Sequence, residues 1–413
     1  MKPSQYQTLS SNDLLSDHSW LNRKLFAAVL KRLPDLDYGT LDLQLPNGQQ
    51  IQFGKARDGA PRAEIRLNSL RPLRRLLVGG QLGMAESYMA GEWDSPDLVS
   101  LVRWVLGNEQ HMPDLNQGKL WLRLLNRLTH WRRANTRRGS RRNIAYHYDL
   151  GNDFYQLWLD PSMTYSAALF SRPELSLFEA QQTKYRRIAQ LLDLQPGQSV
   201  LEIGCGWGGF AELAAREYGV QVFGITLSRE QLEFAQQRIQ NAGLQDQCQF
   251  SLTDYRDLQG QFDHIVSIEM FEAVGEENWS TYFQTLKRHL KPGGRAVLQV
   301  ISIQESRFES YRRNPDFIQR YIFPGGMLPS PERLQQSLEQ QGLQLTERQL
   351  FGLDYARTLA HWRHQFLEQW PRVQVQGFDE RFRRMWLYYL AYCEGGFRHQ
   401  AIDVGLYQLS HPA

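Results

Sequence analysis

The fold of this chain is decided by the stretch Ser199-Val200-Leu201-Glu202-Ile203-Gly204-Cys205-Gly206-Trp207-Gly208-Gly209. Its first five residues form a short apolar run that predicts a buried strand, and the glycines that follow predict a tight turn into a helix over 209–218. Glycines let the backbone approach a ligand closely, and ligands of open α/β sheets bind at the carboxyl ends of the strands. The stretch therefore predicts an α/β fold and the place of its binding site.

Strand-like and helix-like segments continue to alternate after this stretch. The predicted strands are 220–225, 248–252, 264–268 and 296–301, and the predicted helices are 230–241 and 278–290. Strands that alternate with helices of this length are typical of a doubly wound sheet. We therefore expect a Rossmann-like α/β domain, with a mostly parallel sheet, over 144–413.

The first 112 residues have a different pattern. Residues 41–45 alternate apolar and polar side chains, Pro46-Asn47-Gly48 is a turn signal, and 51–54 is a suitable partner strand. A helical pattern over 20–33 precedes them. The expected organisation is a small α+β domain over 1–112, a basic amphipathic segment over 113–143 and the large domain over 144–413.

Residues 115–148 concentrate positive charge. The chain has 413 residues and a formal net charge of only +3, but this segment holds nine of its 47 lysines and arginines and none of its 44 acidic residues. Trp121, Leu124, Leu128 and Trp131 recur at helical spacing among the arginines. Such a helix either lies on an anionic membrane surface or packs against the protein and continues as a solvated linker.

The overall composition excludes several other classes of protein. Hydrophobic residues make up 42% and charged residues 22%, which is the balance of a globular rather than a disordered chain. No run of about eighteen apolar residues is present, so no membrane span is predicted. The 3 cysteines are too few for a disulfide framework or a zinc cluster. We expect a cytoplasmic protein without a metal site.

Two features indicate which cofactor the glycine-rich turn holds. Glu202 precedes the turn, where a carboxylate can meet the amino group of an amino-acid-like ligand. The second strand leads into Thr226-Leu227-Ser228, without the acidic residue that contacts the ribose of NAD. Glycine spacing alone leaves an NAD site open, but the two features together favour S-adenosylmethionine.

Several further stretches match a known family in their order along the chain. They are the segments 147–155, 159–160 and 163–166 and the motifs LEIGCGWGG, ITLSREQ, DYRDL, MFEAVG, YIFPGGMLPS and FGLDYARTLAHW. From about residue 140 onward, the chain resembles the cyclopropane-fatty-acyl-phospholipid synthases and mycolic acid cyclopropane synthases. This resemblance implies a class I methyltransferase domain with lipid-binding insertions over 144–413.

The resemblance also implies how the cofactor is bound. The positions that match the family's S-adenosylmethionine site are Tyr165, Ser166, Gly204, Gly206, Thr226, Leu227 and Gln231. Asp254 and Tyr255, after the third strand, match the residues on either side of the adenine. The alternative for Thr226-Leu227-Ser228 is a purely structural cap of the following helix.

The family acts on the cis double bond of a phospholipid acyl chain, and a bound bicarbonate takes the proton that is lost when the ring closes. By resemblance, Glu272, Tyr355 and the backbone of Ile301 match ligands of that bicarbonate. Two other ligands differ, because Ala167 replaces a Cys and Gln299 replaces a His. Gln299 still donates a hydrogen bond, but it carries no charge.

These departures leave three outcomes open. Bicarbonate binds weakly and a cyclopropane forms, Glu272 itself acts as the base, or deprotonation elsewhere gives a methyl- or methylene-branched chain. The sequence therefore predicts transfer of a methylene or methyl group from S-adenosylmethionine to an unsaturated phospholipid acyl chain. A cyclopropane is the expected product, with the branched chain as the alternative.

Two other classes of protein are compatible with part of the sequence. The arginines suggest a nucleic-acid methyltransferase, but no proline follows the strand over 264–268, where amino-methylating enzymes carry Asn/Asp-Pro-Pro-aromatic. The replaced Cys and His suggest a lipid-binding protein without activity, which the intact cofactor motifs argue against. We expect unsaturated phospholipids as partners, no nucleic acid, peripheral association with the inner face of the cell membrane and, by the resemblance, a homodimer.

Overall fold

A computed structural model of the protein describes residues 36–112 and 150–411, together with Lys24, Phe26, Ala27 and Gly139. The chain divides into two compact units, one formed by 1–126 with 379–395 and the other by 127–378 with 396–413. Most of the helix predicted over 20–33 and nearly all of the basic segment 113–143 lie outside the described residues. None of the described helices is long and apolar enough to cross a membrane.

The smaller unit contains a four-stranded sheet in the order β2-β1-β3-β4. Its strands are β1 (Gly39–Gln44), β2 (Gln50–Lys55), β3 (Arg62–Leu67) and β4 (Trp93–Asp94), and its helices include α1 (Arg71–Met89) and α2 (Leu98–Gly107). β1 is antiparallel to β2 and parallel to β3, which confirms the hairpin predicted around Pro46-Asn47-Gly48. Leu41, Leu43 and Ile65 are buried together with Trp104 in the core of this unit.

The chain returns to this unit near its carboxyl end. Arg384 donates to the Asp94 carboxylate at 2.7 Å and to the Trp93 carbonyl at 2.6 Å, and its guanidinium lies 4.1 Å from the centre of the Tyr88 ring. Charge-assisted hydrogen bonds of this kind are the stronger ones in proteins. Residues 379–395 therefore pack with the N-terminal residues, which the sequence boundary at 144 did not anticipate.

The larger unit contains a seven-stranded sheet in the order β10-β11-β9-β8-β5-β6-β7. Its strands are β5 (Ser199–Ile203), β6 (Gln221–Thr226), β7 (Cys248–Leu252), β8 (Phe262–Ile268), β9 (Leu290–Ile303), β10 (Gln344–Leu350) and β11 (Ile402–Ser410). The strands β5 to β9 pair in parallel, whereas β11 is antiparallel to both β9 and β10. The predicted Rossmann-like, mostly parallel sheet is confirmed.

Helices follow the parallel strands, within one residue of the predicted bounds. They are α5 (Gly209–Tyr218), α6 (Arg229–Ala242) and α7 (Trp279–His289). The remaining helices are α3 (Asn152–Gln156), α4 (Leu177–Leu192), α8 (Glu305–Arg313), α9 (Pro331–Gln340), α10 (Gly352–Val375) and α11 (Glu380–Arg398). α4 begins at a capping box, in which the Ser176 hydroxyl accepts from the Glu179 amide and the Glu179 carboxylate accepts from the Ser176 amide.

The order of the strands fixes where the functional site lies. β5 is central, with β6 on one side and β8 on the other, so the strand order reverses at β5. Ligands of open α/β sheets bind outside the carboxyl ends of the strands at such a point. The buried side chains of Leu201, Ile265 and Leu298 anchor these strands in the core. The functional site is therefore expected at the carboxyl ends of β5 to β9.

Candidate active site

The glycine-rich turn after β5 is fixed by its neighbours. Gly204 has a φ of +82°, a conformation that side chains with a Cβ rarely adopt. The amides of Gly204 and Cys205 both donate to the Ile225 carbonyl at 2.9 Å, and the Trp207 indole donates to Asn152 Oδ1 at 2.7 Å. The turn is thereby held against β6 and α3, and a Cβ added at Gly206 would meet no atom within 4 Å, which leaves open space beside the backbone there.

Glu202 places a buried carboxyl group next to this turn. The residue is 3% exposed, and its Oε2 has no hydrogen-bond partner within the described part of the chain. Burial raises the pKa of Glu202 well above its usual value, and the ammonium of Lys184 opposes this rise. Because a buried polar atom without a partner is unfavourable, the amino group of a bound amino-acid moiety would supply the missing donor. Glu202 Oε2 is therefore suited to accept a hydrogen bond from the amino group of S-adenosylmethionine.

The other predicted cofactor residues line the same edge of the sheet. The Thr226 hydroxyl donates to Gln231 Oε1 at 2.8 Å and accepts from the Ser228 amide at 3.1 Å. Asp254 accepts from two guanidinium nitrogens of Arg256, at 2.8 and 2.7 Å. These contacts fix the side chains at the ends of β6 and β7. Gly206, Leu227 and Tyr255 follow the ends of β5, β6 and β7, respectively.

Aromatic rings surround Tyr165. The ring centres of Tyr155, Trp158 and Trp362 lie 5.4, 5.5 and 5.2 Å from that of Tyr165. Tyr355 packs edge-on against Trp362, with ring centres 6.1 Å apart. The face of an aromatic ring stabilises a cation by about 2 kcal/mol or more when water is excluded. The cluster can therefore stabilise a sulfonium group or a cationic carbon beside it.

The two side chains Gln299 and Tyr355 meet at a carboxylate that the sequence reasoning missed, Glu269. Glu269 Oε1 accepts from Gln299 Nε2 at 2.6 Å and from the Ala167 amide at 2.8 Å, and Oε2 accepts from the Tyr355 hydroxyl at 2.7 Å. The φ of Glu269 is +48°, in the left-handed region that favours glycine. Three donors thus converge on one carboxylate whose backbone is strained.

Glu272 lies close to Glu269 but has a different environment. Its Oε1 accepts from the Ile301 amide at 2.5 Å, and its Oε2 has no partner among the described residues. Burial and the negative charge of Glu269 raise the pKa of Glu272 to about 8, so Glu272 is largely protonated at pH 7. Ile301, predicted as a ligand of the same ion as Gln299 and Tyr355, therefore contacts a different carboxyl group.

Glu269 has more hydrogen-bond donors around its carboxyl group than Glu272 has. Burial raises the pKa of Glu269, but the Ala167 amide, the ammonium of Lys184 and the other hydrogen-bond donors oppose the rise. Hydrogen bonds to the charged form of a carboxyl group favour that form, so the donors around Glu269 favour its ionised form. Glu269 is therefore the better placed of the two carboxyl groups to act as a base.

The sequence contained one signal for Glu269. Glu269 and Glu272 stand three positions apart, directly after β8 ends at Ile268. Paired carboxylates at the carboxyl end of a central strand are typical of acid–base chemistry. The donors to Glu269 are 30, 86 and 102 positions away in the sequence, so only the fold brings them together.

Comparisons with known proteins identify the family of the chain. The family model described as Mycolic acid cyclopropane synthetase matches residues 135–407. The chain is 38% identical to the tuberculostearic acid methyltransferase UfaA1 of Mycobacterium tuberculosis, over 92% of this chain and 90% of the relative. It is 40% identical to the cyclopropane-fatty-acyl-phospholipid synthase of Escherichia coli strain K12, over 89% of this chain and 92% of the relative.

Among solved structures, the mycolic acid cyclopropane synthase CmaA1 complexed with SAH and CTAB is similar, with 33% sequence identity and a TM-score of 0.62. The match covers 65% of this chain and 97% of that chain. The residues matched by the family model include the glycine-rich turn, Glu269, Glu272 and Tyr355. The range matched by the family model therefore spans the stretch of chain that carries the glycine-rich turn and both carboxyl groups.

Proposed function

Because this chain belongs to the mycolic acid cyclopropane synthetase family, we propose that it methylates the double bond of an unsaturated phospholipid acyl chain and uses Glu269 as the base. Like its relatives, it is an S-adenosylmethionine-dependent methyltransferase. When bound, S-adenosylmethionine supplies an electrophilic methyl group. Glu202 and the turn at Gly204 and Gly206 hold its amino-acid part, and the rings around Tyr165 exclude water from the reacting atoms.

The observation that carries the proposal is the hydrogen bonding of Glu269. Gln299 and Tyr355 stand where the family resemblance implies ligands of bicarbonate, and Ala167 stands where it implies a Cys. All three residues donate to the Glu269 carboxylate instead. A carboxylate offers a pair of acceptor oxygens much as bicarbonate does. Glu269 thus accepts the hydrogen bonds that a bound bicarbonate would otherwise accept. In this proposal the general base is a side chain of the protein and not a bound ion.

The proposed reaction passes through a cation on the acyl chain. On transfer of the methyl group, the π electron pair of the alkene would form the new carbon–carbon bond, and the donor sulfur would keep the electron pair of the broken carbon–sulfur bond. A positive charge would remain on the neighbouring alkene carbon. The hydrogen of the methylated carbon migrates with its electron pair to that cation, because the resulting tertiary cation is more stable. Glu269 then takes a proton from the transferred methyl group, and the electron pair of that bond forms the double bond of a methylene branch on the acyl chain. The chain gains one CH2 unit.

Two observations favour the branched product. The three hydrogen bonds to Glu269 stabilise its charged form and lower its basicity relative to a buried carboxylate without donors. Slower proton removal gives the hydrogen time to migrate. The relative at 38% identity is a tuberculostearic acid methyltransferase. Direct ring closure to a cyclopropane is the second candidate, and the 40% identity to a cyclopropane-fatty-acyl-phospholipid synthase favours it.

We place the acceptor lipid at a membrane surface. The basic segment 115–148 carries nine positive charges and no acidic residue. Each basic residue near an anionic leaflet contributes about 1 kcal/mol of attraction. This attraction supports peripheral association with the inner face of the cell membrane, where unsaturated phospholipids are the substrate.

The product distinguishes the two candidates. The protein is incubated with S-adenosylmethionine and vesicles of a phospholipid with cis-monounsaturated chains, and the lipids are analysed by mass spectrometry before and after ozonolysis. Both products gain the mass of CH2, but only the methylene branch is cleaved by ozone to a ketone on the acyl chain. We expect the ketone. A product that resists ozone would establish ring closure and contradict the branched-chain proposal.

Dependence on bicarbonate tests the origin of the base. We expect the same initial rate in buffer purged of carbon dioxide as in buffer with added bicarbonate, because Glu269 occupies the donors that an ion would need. The matched measurement uses a chloride salt at the same ionic strength, since salt also weakens binding to charged vesicles. A rate that falls on purging and returns with bicarbonate would show that the base is the ion.

A further inference from the structure

A buried lysine that the proposed reaction does not use lies in the same region as the base. Lys184 on α4 is 0% exposed, and its Nζ donates to the Ser166 hydroxyl at 2.6 Å. The carboxyl groups that act on its charge are those of Glu269, Asp160 and Glu202. A buried ammonium is unfavourable unless opposite charges surround it. Lys184 is therefore a buried amine whose positive charge is stabilised by the surrounding carboxyl groups.

Helix α4 also fixes one of the donors to the base. Gln181, one turn before Lys184, is buried and donates to the Ser166 carbonyl at 2.8 Å. Lys184 holds the hydroxyl of the same serine. The next residue along the chain, Ala167, gives its amide to Glu269. The charge of Lys184 and the position of the Ala167 amide are thus set by the same helix.

We propose that Lys184 is a positioning residue that keeps Glu269 ionised inside a buried site. The inference rests on the proposed function for its consequence in catalysis, but the ionisation of Glu269 is measurable in the ligand-free protein. Glu272 is a second buried carboxyl group on which the charge of Glu269 acts, and like charges in one site disfavour each other. The positive charge of Lys184 offsets this repulsion and the loss of water around Glu269.

The direction of the electrostatic effects agrees with this role. Burial raises the pKa of Glu269, and the charge of Lys184 lowers it. Burial lowers the pKa of Lys184 itself to about 7, against the attraction of Glu269, Asp160 and Glu202. Removal of the ammonium therefore raises the pKa of Glu269, and the base is then protonated over a wider range of acidic pH. Arg at this position keeps its charge at every working pH.

Infrared difference spectroscopy of the ligand-free protein tests the proposal directly. The carboxyl band of Glu269 is identified by its loss in the Glu269→Gln variant and is followed against pH. Lys184→Gln retains a donor for Ser166 but removes the charge. We expect the pKa of Glu269 to rise by about one unit or more in this variant. The acid limb of the pH–rate profile is expected to move to higher pH by the same amount. At a pH on that limb, turnover falls about tenfold, whereas at alkaline pH it changes little.

Two control variants separate charge from structure. Lys184→Arg is expected to keep the acid limb of the wild type. Lys287 is another helical lysine, and its ammonium donates to the Gln341 carbonyl at 2.9 Å. The Lys287→Gln variant is expected to leave the Glu269 band unchanged. An unshifted Glu269 titration in folded Lys184→Gln protein, or an equal loss of turnover at every pH, would overturn the proposal.

If Lys184→Gln does not fold, the Lys184→Arg variant tests the proposal instead. Deprotonation of Lys184 near pH 7 adds a second step to the wild-type titration of Glu269, and a permanent cation should remove that step. Persistence of both steps in Lys184→Arg overturns the proposal. Failure of the proposed function looks different, because Glu269→Gln then retains turnover while the infrared titration still responds to Lys184.

Discussion

Replacement of Glu269 by Gln is expected to lower the rate of lipid methylation by about 10²- to 10⁴-fold, the usual contribution of a general base. The amide keeps one acceptor oxygen for the surrounding donors, but it cannot take a proton. The fold and the affinity for S-adenosylmethionine should therefore change little. Initial rates are measured by mass spectrometry of vesicle lipids, and the Kd for the cofactor by calorimetry.

The Glu272→Gln variant provides the matched comparison. Because its pKa is raised to about 8, Glu272 is largely neutral at pH 7 and resembles an amide in charge and shape. We expect its substitution to cost far less activity at pH 7 than that of Glu269. The reverse pattern, with Glu272→Gln inactive and Glu269→Gln active, would assign the base to Glu272.

Removal of the whole side chain gives a second check on the same residue. Glu269→Ala leaves the Gln299 amide, the Tyr355 hydroxyl and the Ala167 amide around a space the size of a small anion. Added bicarbonate is expected to enter this space and restore part of the lost activity. A folded Glu269→Ala protein that does not respond to bicarbonate would contradict the anion-binding role of these donors.

The second large effect is expected at Glu202, in cofactor binding. Removal of one partner from a buried charge pair costs about 2 to 5 kcal/mol, which is about 30-fold or more in Kd. Glu202→Gln should weaken binding of S-adenosylmethionine to this extent, because the buried Oε2 no longer offers a full charge to the amino group. Calorimetry with S-adenosylmethionine measures the change. Glu217→Gln, at a partly exposed carboxylate paired with Arg186, serves as the control and should bind normally.

The same Glu202→Gln substitution is expected to stabilise the ligand-free protein. The pKa of Glu202 is raised in the folded state, so the free energy of unfolding of the wild type falls as the pH rises above the usual value of 4.5. The amide has no proton to lose and removes this contribution. Denaturant unfolding at acidic and alkaline pH should show a gain that grows with pH. A variant with both normal cofactor affinity and unchanged stability would contradict the role of Glu202.

Local patterns predicted the central part of the fold well. The segment from β5 to β9 alternates strands and helices with clear turn signals, and each observed helix there lies within one residue of its predicted bounds. The antiparallel strands β10 and β11 were not predicted. β10 has mostly polar side chains, and it is recognisable as a strand only through its pairing with β11. The return of residues 379–395 to the N-terminal unit likewise depends on distant partners, such as Asp94 for Arg384.

The sequence predicted several residues of the candidate site but not the hydrogen bonds among them. Motif matching selected Gln299, Tyr355 and Ile301 as neighbours of one ion. The structure instead divides them between the carboxyl groups of Glu269 and Glu272. This division depends on the backbone of residue 269, whose positive φ helps to set the course of the chain there. A sequence shows which side chains are present, but not the direction in which a strained backbone turns them.

The Glu269 carboxylate is held in the site by the backbone of the chain, at a residue with a positive φ. A non-glycine residue in that conformation stores strain of about 1 to 3 kcal/mol, and a glycine there would relieve it. The carboxylate nevertheless remains covalently attached, so its local concentration is set by the chain and not by diffusion. A dissolved ion would rise and fall with the supply of carbon dioxide. With Glu269 as the proposed base, we therefore expect the rate of lipid modification not to depend on the carbon dioxide available to the cell.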